Sequence, residues 1–307
     1  NKEIKPSSLI GSLRFWFAFY RKIIYPSNIE KLNKDGVPEE SIQELQNIKQ
    51  KNFEELLFSK IQESNNFEEA IDKALDELGL SVPSRIFGCT GWKSRLKIND
   101  ITYNRKKTLN ISNIEFNFPN NTNTKFWIKK VLFKENQSIS FFEDCKVKIS
   151  IEDYWWEKYL KDFFEFFKDK LILVGGKNSF GFGFVNLQVS QENVNLLNNN
   201  SSIKNFLVIS KLEKIPYDNK NKKEILGFNF KYFLRKKENK KYRTLNFGQQ
   251  GQASKIYVSN WLKYDNNSIY LLLINNPFDN NQLPEKVFEK YKNLLNNLIN
   301  GDYDGAS

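Results

Sequence analysis

Apolar positions near the start of the chain follow a helical period. After Pro6-Ser7-Ser8, residues Leu9, Leu13, Trp16, Phe17, Tyr20 and Ile24 recur at three- and four-residue spacing. That spacing predicts a helix to about Ile24, with Ser7 or Ser8 as its N-cap. Arg14, Ala18 and Arg21 make a second stripe on the same helix, at i, i+4 and i+7. A second helical region opens at Pro38-Glu39-Glu40 and reaches Leu78 as two helices, closed by Gly79. Its mixed-charge texture marks residues 38–79 as a helical insertion.

From Ser94 the period shortens. Arg95–Ile98, Ile111–Phe118, Phe126–Phe133, Ser138–Phe142 and Lys146–Ile151 are short β-prone runs separated by turn residues. Asp153 then caps a helix over Tyr154 to about Lys168. A buried strand is expected at Leu171–Val174, a glycine-rich loop at 175–183, and a strand at Phe184–Val189. The polar, Asn-rich residues 191–204 form a linker. Beyond them the pattern predicts strands at Phe206–Leu212, Lys255–Leu262 and Ser268–Ile274. A short helix is expected at Phe228–Lys236, and a last helix from Pro284 to near Ile299.

The two parts echo one another. Ser12-Leu13-Arg14-Phe15-Trp16-Phe17 parallels Asn229-Phe230-Lys231-Tyr232-Phe233-Leu234. Phe87-Gly88 through Ser94-Arg95 parallels Phe247-Gly248 through Ser254-Lys255 without a gap. Two matches in the same order read as two copies of one supersecondary unit. The element order approaches β-α-β-β-α-β, short of one strand at each extreme. The expected fold class is therefore α+β, with two ferredoxin-like domains. The first spans residues 1–190 and carries the insertion; the second, shorter one spans residues 205–307.

Composition narrows the chemistry. The 307 residues are 40% hydrophobic and 15% aromatic, enough for a sizeable core. No apolar run approaches the roughly 20 residues needed to span a bilayer, and no secretory signal is visible. A cytoplasmic protein without a membrane partner is the expectation. Lys and Arg number 47 against 36 Asp and Glu, a net charge of +11. Such a balance suits a polyanion, although an AT-rich gene would also enrich Lys and Asn. The chain has no His. That removes His-based acid–base catalysis and most zinc sites. Cys89 and Cys145 stand far apart, and no carboxylate pair has metal-site spacing. No catalytic residue, metal or cofactor is expected. Residue 1 is not expected to be an unprocessed start, since the sequence contains no Met.

Three segments offer contacts to a phosphate chain. The glycine loop presents Gly175, Gly176, Lys177, Asn178, Ser179, Gly181 and Gly183. It lacks the P-loop pattern, and a strand follows it where the dinucleotide fingerprint needs a helix. Free N–H groups beside one cation suit a sugar–phosphate backbone; an ordinary hairpin turn is the alternative. On the opening helix, Arg14 and Arg21 flank small Ala18, so a phosphate could approach between them, or the arginines could pair with acidic residues. Lys93, Arg95 and Lys97 alternate beside Trp92, which on a strand makes one cationic face for single-stranded RNA or a solvated edge.

These segments resemble a known family. Pro6-Ser7-Ser8-Leu9-Ile10-Gly11-Ser12-Leu13-Arg14-Phe15-Trp16-Phe17 is similar to the opening of CRISPR RAMP proteins, and most similar to the first subunit of the type III-B Cmr module. Phe87-Gly88 to Ser94-Arg95 and Gly175–Gly183 resemble two further motifs of that family. The resemblance implies an RNA-binding, non-catalytic subunit of an antiviral CRISPR-Cas effector. It would hold the 3′ part of the CRISPR RNA, help capture target RNA and pack against other Cmr-type RAMP subunits. Ser8, Gly11, Arg14, Lys93, Ser94, Arg95 and the glycine loop are its implied RNA contacts. Phe180 and Phe182 stand where family members often carry Arg. A RAMP-type endoribonuclease that processes CRISPR RNA, or a basic structural subunit without RNA contact, are the rival expectations.

Overall fold

The computed structural model describes residues 4–24, 50–116, 124–168, 170–189, 210–216, 223–248, 254–262, 268–274 and 283–300. The expected linker 191–204, residues 38–49 of the expected insertion, residues 117–118 and residues 206–209 lie outside them.

Helix α1, Pro6–Ile24, begins earlier than Ser7 or Ser8 would set it. The Ser8 and Leu9 amides donate to Lys5 O at 3.0 and 3.4 Å, with Pro6 in the first turn where its missing N–H costs nothing. Its middle is buried all round: Trp16, Phe17, Ala18, Phe19 and Tyr20 are each at most 5% exposed. Trp16 Nε1 donates to Leu173 O at 2.8 Å, so even the indole N–H is satisfied in the core.

Helices α2 (Gln50–Ile61) and α3 (Phe67–Glu77) pack on one another. Asn66 caps α3 by accepting the Glu69 amide, and the Glu69 carboxylate accepts Asn65 N, two orphan donors satisfied reciprocally. Gly79, at φ 78°, lets the chain turn back after α3. Within the expected insertion, α3 packs into the rest of the fold. Its Ile71 and Leu75 sit in the main core beside Phe17, Trp155 and Phe163, and Asp72 is buried with them.

Ser81 caps the short α4, Val82–Phe87, which ends on Gly88. Next comes a two-stranded antiparallel ribbon, β1 (Lys97–Asn110) with β2 (Ser138–Ser150), paired from Lys97↔Ser150 to Asn110↔Ser138 with a register shift between Ile98 and Asp100. The separate strands expected at Ser138–Phe142 and Lys146–Ile151 are thus one. Two other expected strands are corrected. Ile111–Asn113 is a 3-10 turn, and Phe126–Phe133 is helical: α5 (Lys125–Trp127) runs into a π-helical segment, Ile128–Phe133. Ile128, Leu132 and Phe133 are buried there at helical spacing, and burial of that face outweighs the β-preference of Ile, Val and Phe.

The aromatic helix forms where expected, as α6 (Asp153–Trp155), a π-helical stretch Trp156–Leu160, and α7 (Lys161–Phe167), but its N-cap is Glu152 and the expected cap, Asp153, is already helical. Trp155, Leu160, Phe163, Phe164 and Phe167 fill the core against α1. Strands β3 (Leu171–Leu173) and β4 (Phe184–Asn186) pair antiparallel around the glycine loop.

The second unit contains β5 (Ser210–Pro216), α8 (Gly227–Lys236), α9 (Lys240–Phe247), β6 (Ile256–Val258), β7 (Ser268–Ile274) and α10 (Glu285–Asn300). Its sheet has the order β5-β7-β6, antiparallel throughout. Alternation along β7 divides the sheet's faces. Ile269, Leu271 and Leu273 pack with Phe230 and Phe233 of α8 and Phe288, Tyr291 and Leu295 of α10. Leu272 instead joins the core of the first unit, and its partner Tyr257 packs there too. The first unit therefore covers the face that the second unit's helices leave open.

The internal repeat is visible in hydrogen bonds. Gly88 N donates to Ser84 O at 2.9 Å, and Gly248 N to Thr244 O at 2.8 Å. Both glycines hold φ/ψ values open almost only to glycine: 85°/162° and 68°/172°. Ser94 Oγ donates to Leu96 O at 2.8 Å and Ser254 Oγ to Ile256 O at 2.7 Å. The amide after each serine returns to the residue before the Phe-Gly pair, Arg95 N to Ile86 O and Lys255 N to Asn246 O. The expected first helices, Gly11–Phe17 and Asn229–Leu234, lie in α1 and α8.

Candidate nucleic-acid interface

Helix α1 gathers the three segments singled out from sequence. Ser12 Oγ donates to Ser8 O at 2.9 Å and accepts the Gly175 amide at 2.9 Å, which ties the glycine loop to the helix's first turns. Two residues on, the Arg14 guanidinium donates to Gly88 O at 2.6 Å and Ser84 Oγ at 2.9 Å, fastening α1 to the Phe-Gly turn. Ser8 and Gly11 remain exposed beside these bonds. Open space lies where a Cβ on Gly11 would point, so packing does not demand glycine there.

The glycine loop has two halves. Gly175 and Gly176 are exposed, with open space at their Cβ positions, and Lys177 follows at φ 70°. The Lys177 ammonium donates to Val131 O at 2.9 Å and lies 5.7 Å from the Phe180 ring centroid. An ammonium has three donors, so the charge keeps two for a ligand. After the 3-10 turn Asn178–Phe180, with exposed Ser179 at its centre, the second half is packed. Gly181, at φ 89°, lies against Asn260: a Cβ there would come within 2.2 Å of Asn260 Oδ1. Gly183 closes the loop, accepting the Val174 amide at 2.8 Å. Asn178 Oδ1 is buried and has no donor among the described residues.

Phe180 and Phe182 have a structural use. Phe180 stacks on Phe228 of α8 at 4.9 Å, and both loop phenylalanines join a third core cluster with Leu109, Ile114, Leu226 and Leu262. This half of the loop is a joint between the units. Gly227 is part of it: its amide donates to Asn260 Oδ1 at 2.7 Å.

Two arrangements expected from spacing are corrected. Ala18 is fully buried, so no open cradle lies between Arg14 and Arg21. Arg21 instead lies 5.8 Å from the Tyr159 ring centroid. Lys93, Arg95 and Lys97 do not alternate along one strand, because β1 starts only at Lys97. The bond of the Arg95 amide to Ile86 O at 2.8 Å and that of Ser94 Oγ to Leu96 O bend this segment. Arg95 stacks on Trp92 at 4.6 Å and lies 3.8 Å from Glu68, whereas Lys93 and Lys97 are exposed.

A buried charge network behind this surface was not singled out from sequence. Asp72, 1% exposed, accepts Arg85 Nη1 at 2.8 Å, Tyr154 Oη at 2.8 Å, Tyr159 Oη at 2.6 Å and Lys158 Nζ at 2.9 Å. Burial opposes its charge, but the bonds from Tyr159 and Lys158 and the Arg85 charge outweigh it and hold the carboxyl below its usual range. The network braces α4, whose Ser84 and following Gly88 receive Arg14. An acid beside the Ile71–Leu75 apolar face of α3 was the available signal, since buried Asp is almost always paired. In the second unit, Lys231 occupies the position of Arg14 in the repeat. Its ammonium lies 5.2 Å from the Tyr257 ring centroid, and burial, with Arg235 nearby, pushes its pKa down to about 8.

Among the described residues, no group of three or more Asp, Glu or Cys side chains could hold a metal ion, and no helix is long and apolar enough to cross a membrane. Comparison with curated proteins and with solved structures returned no match. The model of the RAMP superfamily matches residues 1–186. That span runs from α1 to the last residue of β4, and so includes the helix, the Phe-Gly turn and the whole glycine loop. With all three motifs inside a match over more than half its length, the chain belongs to the RAMP superfamily, whose CRISPR-associated members its opening segment resembles.

Proposed function

We propose that this protein is a non-catalytic RNA-binding subunit of a type III-B CRISPR effector, the Cmr complex. In this reading it holds the 3′ part of the CRISPR RNA, assists target RNA capture and works beside other RAMP subunits. The observation that carries the RNA contact is the Ser12–Gly175 hydrogen bond. It places exposed Ser8, Gly11, Gly175, Gly176 and Lys177 together at one end of α1. Small residues, open backbone and a nearby ammonium suit a sugar–phosphate chain approached without base readout. The fold proposed with it is two ferredoxin-like domains. Support comes from the element order of the second unit, β-α-β-β-α with α9 as an additional helix after α8, and from its sheet order, first-third-second.

The test is binding of single-stranded RNA by the full chain across a salt series. Lys93→Ala and Lys177→Ala should each flatten the log–log salt dependence by about 0.7 and weaken guides of different sequence about equally. Lys286→Ala, an exposed site on α10, serves as the control. Equal losses at all three positions would mean diffuse attraction by the net charge and would sink the proposed surface. Arg14→Ala is a poorer probe, since it also removes two bonds that hold α1 to α4. Incubating repeat RNA with the chain tests the non-catalytic part, and specific cleavage would refute it.

A further inference from the structure

The described residues hold an exposed aromatic pair that the reading above leaves unused. Phe126 and Trp127 are 54% and 51% exposed, with ring centroids 5.5 Å apart in a T-shaped arrangement. They sit on α5, whose buried side is taken by Ile128, Leu132 and Phe133 of the following segment. Lys125, Lys129, Lys130 and Lys134 are exposed around them. None of the four has an ion-pair partner among the described residues, and Lys130 Nζ lies 5.3 Å from the Phe126 ring centroid. The same segment touches the glycine loop, because Val131 O accepts the Lys177 ammonium. Val131 follows Trp127 by four residues, about one helical turn.

Two large rings left in water cost free energy unless something covers them. The lysines identify the cover. Protein interfaces are enriched in aromatic residues and Arg but depleted in Lys, so four lysines around the pair argue against a protein partner. A duplex hides its base faces in its own stack. An unpaired strand offers both a π-face for each ring and a phosphate for each ammonium. A membrane surface fits poorly, since the remaining apolar side chains of this segment are spent in the protein core.

We propose that Phe126 and Trp127, flanked by Lys125, Lys129 and Lys130, form a base-stacking platform for unpaired RNA running on from the glycine loop. The proposal rests on the reading that the loop meets RNA. Lys177 marks the crossing point, bonded to the platform's own helix. Stacking is tolerant of sequence, so the platform would position nucleotides without selecting them.

The experiment measures fluorescence anisotropy of the full chain with two labelled RNAs of equal length, an oligoadenylate and the same strand with abasic sites. Trp127→Ala should weaken oligoadenylate binding about 5- to 150-fold, the range for losing one base stack. It should leave the salt slope and abasic-strand affinity unchanged, and Trp127→Phe should recover most of the loss. Unchanged oligoadenylate affinity, or equal losses on both strands, would overturn the platform. The two readings fail separately. If Lys177→Ala still flattens the salt slope while Trp127→Ala has no effect, the platform falls and the loop contact stands. If the unaltered chain binds neither RNA at low salt, both fall. Half of each ring is already in water, so an unchanged thermal midpoint confirms that each variant is folded.

Discussion

Removing the Asp72 carboxylate tests whether the first unit depends on its buried charge network. Arg85, 7% exposed, keeps Asp76 Oδ1 at 2.6 Å and Leu80 O at 2.9 Å in an Asp72→Ala variant, but loses its buried counter-ion. Tyr159 and Tyr154 lose their shared acceptor at the same time. Breaking one side of a buried ion pair costs about 3–5 kcal/mol, far more than an exposed pair. For 307 residues unfolding as one unit, that is a fall in Tm of roughly 5–8 °C. The double variant Asp72→Ala/Arg85→Met removes both buried charges and leaves only the solvent-exposed Lys158 and Asp76 without these partners, so it should regain much of the loss. The assay is a double-mutant cycle by urea unfolding at pH 7, repeated toward acid pH. Asp72 has a folded pKa below its unfolded value. Its contribution is therefore full above the unfolded pKa and disappears as pH falls through the folded one. The gap between the original chain and Asp72→Ala should close on that acid side. A single-variant cost under about 1 kcal/mol, or a double variant equal to the sum of the singles, would refute the argument.

Gly227→Ala should fail to fold stably, because its Cβ would lie 1.9 Å from Val258 O and 2.9 Å from Gly181 Cα, both backbone atoms; soluble yield and thermal midpoint report this. Gly11→Ala has open space and sits in a helix, so it should raise stability by up to about 1 kcal/mol while weakening RNA binding if the strand runs against that turn. Lys231 has a folded pKa of about 8 against 10.5 unfolded, so the unfolded chain binds more protons between those values and stability should rise with pH there. Lys231→Met should remove that rise and be the more stable form at pH 7, as pH-dependent melting would show.

Periodic signals were local, and they survived. The α1 and α8 helices, the aromatic helix, β7 and the last helix appear close to where spacing places them, because each buries one face at its own period. The repeat was legible as well: Phe-Gly-x-x-Gly-x-x-Ser encodes one turn whose glycine needs positive φ and whose serine returns to the backbone, a requirement carried within about ten residues. Phe126–Phe133 was misread because Ile, Val and Phe favour strands alone, and only the cluster formed with Leu109, Leu226 and Leu262 selects the helical face. Membership of the site divides the same way. Lys93 and the glycine loop were marked by their own residue types, a cation and open backbone, and Ser8 and Gly11 by the resemblance of the opening segment. Whether a guanidinium meets solvent or a neighbour depends on what packs against it. Tertiary structure alone buried Ala18, bent Ser94-Arg95 off the strand, turned Arg14 to Gly88 and split the glycine loop into an open half and a packed joint. Those outcomes rest on contacts between residues as many as 163 positions apart, such as Ser12 with Gly175, and no local pattern encodes a partner that the chain meets only on folding.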